Sequence, residues 1–114
     1  EMNLLMKEFG DNPFIGYWHD FGHIQRKHNL LILNHEQFLR RMSSHLIGGH
    51  VNDVKWPARD HQVPLLGGVV PFERLLPFFP HGVPLVWELS SRVSSEDIRA
   101  ARKLWMEKFP QTLA

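Results

Sequence analysis

The sequence contains no cysteine. That excludes a disulfide framework, a thiolate zinc site and a cysteine nucleophile. It also lacks an excess of either charge: thirteen Lys and Arg stand against twelve Asp and Glu, leaving a net charge of +1. A chain so balanced has no basic surplus to drive sequence-independent binding to a phosphate backbone, and a nucleic-acid partner is disfavoured. Long apolar runs are missing too. The stretch Leu30 to Leu33 is far shorter than the roughly 18 residues that span a bilayer. Glu1-Met2-Asn3 is neither basic nor followed by an apolar core, unlike a secretory leader. A cytoplasmic protein with no membrane partner is the expectation. No repeat or low-complexity linker divides the chain, so residues 1–114 read as one domain.

What is present is an ordinary globular composition, 43% hydrophobic and 22% charged, enough for one core. Eight histidines and four tryptophans stand out. Apolar residues at 2, 5, 6 and 9 predict a helix over Met2 to Phe9, stopped by Gly10-Asp11-Asn12-Pro13. Phe14 to Trp18 reads as a short buried strand, followed by a polar stretch. Asn34 can cap a helix over His35 to Ser44, with Phe38, Leu39 and Met42 on one face. Leu46 to Val54 is the second strand, interrupted by Gly48-Gly49. Lys55 to Val70, rich in Pro and Gly, reads as an irregular segment. It is longer than the roughly 12–15 residues of a passive loop, and segments of that length are usually functional or disordered.

Pro71 suits the first turn of a helix running to Phe79. Leu85 to Leu89 is the third strand. Ser94 caps a last helix to Phe109, with Asp97 three residues on and Lys103 and Lys108 toward its end, as the helix dipole favours. Strands alternating with helices imply an α/β fold with a parallel sheet.

In such a sheet, reactive groups collect at the C-terminal ends of the strands. The first strand ends in His19-Asp20-Phe21-Gly22-His23, the second carries His50 and Asp53, and the third ends in Glu88. Imidazole nitrogen and carboxylate oxygen suit a divalent ion such as Zn2+ or Mn2+, and three adjacent strand ends supply convergence. Each residue also has a plainer reading. Asp20 can accept backbone N–H bonds in its turn. His23 can lie on the surface and His50 in the core, and Asp53 can be an outer support or a turn residue. Glu88, behind Val86-Trp87, is the hardest to explain plainly, since carboxylates are rarely buried unpaired. His28, His35, His45 and His81 read as solvent-facing. The loop bearing Arg59, Asp60 and His61 would lie over the site, where Arg59 could hold an anionic or polyhydroxyl substrate.

Four segments in order resemble the xylose-isomerase-like barrel superfamily. Gly16-Tyr17-Trp18-His19-Asp20-Phe21-Gly22-His23 is similar to its "D-x-G-H" strand. His50-Val51-Asn52-Asp53 is similar to its "H-x-x-D" strand. Arg59-Asp60-His61 with Pro64 to Gly68 resembles the loop that follows, and Val86-Trp87-Glu88 the last strand. The resemblance implies a partial (β/α)8 TIM barrel: about three parallel strands alternating with four helices, matching strands six to eight. It implies Asp20, His50 and Glu88 as ligands of a divalent metal (Mn, Co, Mg or Zn), and Glu88 as the catalytic base. His23 and Arg59 would be substrate contacts, with Asp53, Asp60 and His61 in supporting places. The implied activity is isomerisation or epimerisation of a small sugar or sugar phosphate. An AP-endonuclease-like branch is the weaker alternative, and a non-catalytic partial barrel acting as a binding module is the other.

Two departures matter. The first of the family's two catalytic glutamates has no counterpart in this sequence, and Pro64-Leu65-Leu66-Gly67-Gly68 departs from the family's P-G-x-G. Three strands would leave two open sheet edges, so a homo-oligomer or a complementing barrel half is the expected partner.

Overall fold

The structure is a computed structural model that describes residues 7, 8, 12 and 15–112. The helix expected over residues 2–9 lies outside this set except for Lys7 and Glu8, both helical. The described chain is mixed α/β. Strand β1 (Tyr17–Asp20) runs into helix α1 (Phe21–Asn29), then helix α2 (His35–Met42) and a single 3-10 turn. Strand β2 (Leu46–Val51) follows, then β3 (Asp53–Lys55) and β4 (Arg59–Gln62). Helix α3 (Phe72–Leu75), β5 (Leu85–Trp87) and helix α4 (Ser95–Lys108) complete it. Strands β1, β2 and β5 form a parallel sheet in the order β1-β2-β5, and β3 and β4 form a separate antiparallel pair. Two parallel neighbours for β2 require the crossovers that the helices supply.

The caps expected from sequence are formed. The Asn34 side chain accepts from the Gln37 N–H, and the Ser94 side chain from the Asp97 N–H. Each satisfies a donor that the first helical turn leaves unpaired. The polar stretch after the first strand is not a loop but helix α1. Asp20 caps it by accepting from the His23 N–H, and Phe21, Ile24 and Gln25 form its buried face. The expected strand Leu46 to Val54 breaks at Asn52, where the chain leaves the parallel sheet to begin the β3–β4 hairpin. The segment from Lys55 to Val70 is therefore partly ordered as β4. The expected helix from Pro71 shortens to one α-helical turn, and Pro77 sits in the 3-10 turn that follows. Proline cannot donate in the next turn of an α-helix.

The helices cover one face of the sheet. Phe21, Leu39, Met42, Val51, Phe72 and Leu75 form the centre of the core there. The opposite face carries Trp18, Ile47 and Val86, all substantially exposed. No helix among the described residues is long and apolar enough to cross a membrane.

The core contains one polar chain. The Tyr17 hydroxyl lies 3.0 Å from His19 Nδ1, His19 Nε2 lies 2.9 Å from His35 Nε2, and His35 Nδ1 lies 2.7 Å from Gln25 Oε1. Gln25 Nε2 in turn donates to Asn29 Oδ1 at 2.9 Å. One set of protons fits every link. Gln25 accepts on Oε1, so His35 donates from Nδ1 and accepts on Nε2, His19 donates from Nε2, and Tyr17 donates to His19 Nδ1. His35, read from sequence as solvent-facing, is thus buried at 2% exposure, because a hydrogen-bonded partner in β1 makes burial affordable.

Candidate metal centre

Sheet register builds the site. Asp20 pairs with His50 across β1 and β2, and His50 pairs with Val86 across β2 and β5. Residues in register share a face, and side chains alternate along a strand. Asp20, His50 and Glu88, two residues after Val86, therefore emerge together on the open face at the C-terminal ends of three parallel strands. The Glu88 N–H still bonds to the Val51 carbonyl at 3.1 Å, which carries the ladder to that end.

One ligand atom from each of Asp20, His50 and Glu88 lies within 4.8 Å of the other two. His50 Nδ1 is 3.2 Å from Glu88 Oε2 and 3.9 Å from Asp20 Oδ2. Ligands at about 2.0–2.2 Å from one tetrahedral ion stand about 3.3–3.6 Å apart, so the His50–Glu88 pair is already near that spacing while Asp20 Oδ2 has to move closer to His50 to close on an ion. Two carboxylates bring charge, and the imidazole brings the nitrogen that transition ions favour. These three residues could hold a metal ion.

The surroundings are also specific. Asp20 Oδ1 accepts from the His23 N–H at 2.9 Å and from Asn52 Nδ2 at 3.4 Å, so Oδ2 is the oxygen presented to the site. His23 lies at the rim, its Nδ1 4.0 Å from Asp20 Oδ2 and its ring 6.0 Å from that of His61. The Trp18 ring stands edge-on to His50 at 5.3 Å. A groove of about 590 Å3 leads away from Asp20 between Trp18, His23, Arg26, Lys27 and Asp60.

The remaining sequence candidates have different places. Asp60 pairs with Arg26 at 2.9 Å, which ties β4 to α1. The His61 hydrogen bond, aided by charge from His61 and Arg26, holds the Asp60 carboxyl below its ordinary range. The His61 carbonyl accepts the Ser90 N–H at 2.8 Å, which joins the hairpin to the segment after β5. Arg59 is exposed on β4, opposite Lys55 in register. Asp53 is 1% exposed and serves the loop: its Oδ1 accepts the Val54 N–H at 2.8 Å and the Val70 N–H at 2.9 Å. Burial pushes its carboxyl pKa up, and these backbone donors oppose the rise. Gly68 lies against the same carboxylate, where a Cβ would collide with it. Of the alternatives for Asp53, the structure realises the turn residue.

Sequence reasoning missed two members of this neighbourhood. From sequence, Asn52 is a position without a role inside His50-Val51-Asn52-Asp53. Its signal is its place as the first residue after β2, beside two strand ends. Trp18 shares the open face with Asp20 by simple alternation, and that signal was available. No protein-family model, curated protein or solved structure matches the chain.

Proposed function

We propose that this chain carries the metal-binding part of a divalent-metal-dependent sugar or sugar-phosphate isomerase or epimerase, on the last strands of a (β/α)8-type barrel. The observation that carries this reading is the convergence of Asp20, His50 and Glu88 at three adjacent parallel strand ends. Mn2+, Co2+, Mg2+ and Zn2+ are the ions to consider, and each would supply Lewis-acid polarisation of a substrate carbonyl.

The chain's own residues have the following tasks in this reading. Asp20 and His50 hold the ion. Glu88 has an oxygen toward His50 and a side chain 47% exposed, so it can exchange a proton with the carbon beside the carbonyl. His23, at the mouth of the groove, and Arg59, on the hairpin, contact substrate hydroxyls or a phosphate. Lys27 lines the groove as a cation for a phosphorylated sugar, while Arg26 is paired with Asp60. Incubated with ketoses and ketose phosphates in 2H2O with Mn2+, the protein is expected to catalyse exchange of the hydrogen on the carbon next to the carbonyl. Exchange at the background rate would overturn the catalytic reading.

A second reading has its own support. Among the described residues, β1 and β5 each have one strand neighbour, and Trp18, Ile47 and Val86 are exposed between them. A non-catalytic module that covers this surface with a second copy would keep the metal and lose the exchange. Light scattering is then expected to show a dimer or larger assembly, and a stable monomer at micromolar concentration would contradict it.

A further inference from the structure

Asp20 does two jobs with two oxygens, and a buried side chain keeps them apart. Oδ1 is taken up by the His23 N–H, as the cap of α1, and by a long hydrogen bond from Asn52 Nδ2. Oδ2 is the atom that faces His50. Asn52 is 1% exposed, so its amide has no solvent-facing alternative. Its seat is shaped by Gly22 in α1. A Cβ at Gly22 would run into the Asn52 side-chain oxygen, while its next distinct neighbour, Val54, would stand at an ordinary 3.5 Å. Gly22 has no left-handed backbone that would demand glycine, so the space for Asn52 is the reason for a residue without a side chain there.

We infer that Asn52, seated against Gly22, is a positioning residue that makes Asp20 a one-oxygen ligand, and that the centre therefore takes a compact first-row transition ion in preference to Ca2+. This rests on the metal-centre reading and names the class of ion. Ca2+ takes six to eight oxygens at about 2.3–2.6 Å and commonly uses both oxygens of a carboxylate. A site with one oxygen committed elsewhere and an imidazole nitrogen in its set offers Ca2+ little. Mn2+ or Zn2+ accepts nitrogen and lower coordination numbers. Outer partners that orient a ligand typically change metal affinity by about 10–100-fold.

The test is calorimetric titration of the full chain with Mn2+ and, separately, Ca2+, with an ion-free thermal melt for each variant. Wild type is expected to bind Mn2+ and to prefer it to Ca2+. In Asn52→Ala the Mn2+ affinity should fall about 10-fold while that for Ca2+ does not, so the preference narrows. Gly22→Ala should do the same by displacing Asn52, and should add nothing further in the Asn52→Ala background, as expected for coupled neighbours. A residue that only supports the fold would lower the melt and leave the Mn2+/Ca2+ ratio alone. Alanine is the better helix former, so the fold has an independent reason to survive Gly22→Ala if Asn52→Ala does not fold. Mn2+ binding with an unchanged ratio in the folded variants overturns the inference and leaves the metal centre standing. No Mn2+ binding by wild type overturns the metal centre itself.

Discussion

Lowering the pH from 7.5 to 5.0 is expected to remove about 2 kcal/mol of folding stability through His35, with a further loss in the same direction through His19. Burial, reinforced by the neighbouring imidazole, holds His19 well below its ordinary pKa of 6.5. Burial, with a smaller contribution from His28, lowers His35 to about 3. A histidine whose folded pKa is depressed stays neutral in the native state while the unfolded chain takes up a proton. Its contribution is intact above about pH 6.5 and is lost as the pH falls below that value. For His35 this loss is about 2 kcal/mol over the range, already a sizeable share of a typical 5–15 kcal/mol, and His19 adds to it.

Burial, with the hydrogen bond between the two rings, explains why neither imidazole takes up an extra proton. His35 Nε2 receives the His19 proton, and His19 Nδ1 receives that of Tyr17. A proton on His35 Nε2 would set two N–H groups against each other, and a charge on either ring would be enclosed by Phe21, Phe38 and Phe79 away from water. Asp53 acts in the opposite sense, since its raised pKa lets acid favour the native state. Urea melts at the two pH values measure the difference. The variant Tyr17→Phe, His19→Leu, His35→Leu, which removes both buried imidazoles together, should lose most of the pH dependence. Equal wild-type stability at pH 7.5 and 5.0 would show that the pair is not buried as described.

The second large effect concerns the ligands. Asp20→Asn, His50→Ala and Glu88→Gln are each expected to weaken Mn2+ binding by at least about 100-fold, or about 2.7 kcal/mol. Asp20→Asn is the most informative. Asparagine caps a helix as well as aspartate does, so α1 keeps its start while the ligand loses its charge. Glu88→Gln keeps the shape of a side chain that is half exposed, and His50→Ala removes one that is 37% exposed. None of these should cost the fold more than a surface change. The ion-dependent rise in melting temperature should vanish in all three, since binding stabilises the native state in proportion to affinity. Variants that bind Mn2+ like wild type would remove these residues from the centre.

The convergence of Asp20, His50 and Glu88 was legible because they sit at element ends, where periodicity locates residues within a turn or so. Asn34 and Ser94 were legible as caps for the same reason. Helix α1 was hidden by its composition. Its buried face includes Gln25, which reads as polar and is inside because its Oε1 accepts from His35 Nδ1. His19 and His35 are 16 residues apart, and each alone looks like a surface histidine. Their burial is a property of the pair, which local patterning cannot see. The β3–β4 hairpin was masked by the Pro and Gly that shape its turn and the loop beyond. The register that places His50 between Asp20 and Glu88 is likewise a long-range fact. Strand ends suggested that the three could meet, and only the pairing of β2 with both neighbours brings them together.

The central claim is that Asp20, His50 and Glu88 form one metal centre. The most direct test is Mn2+ titration followed by electron–nuclear double resonance on the bound ion. One saturable Mn2+ per chain, coupled to a single imidazole nitrogen that disappears in His50→Ala, is the predicted result. No saturable binding, or a nitrogen coupling that persists in His50→Ala, would contradict it.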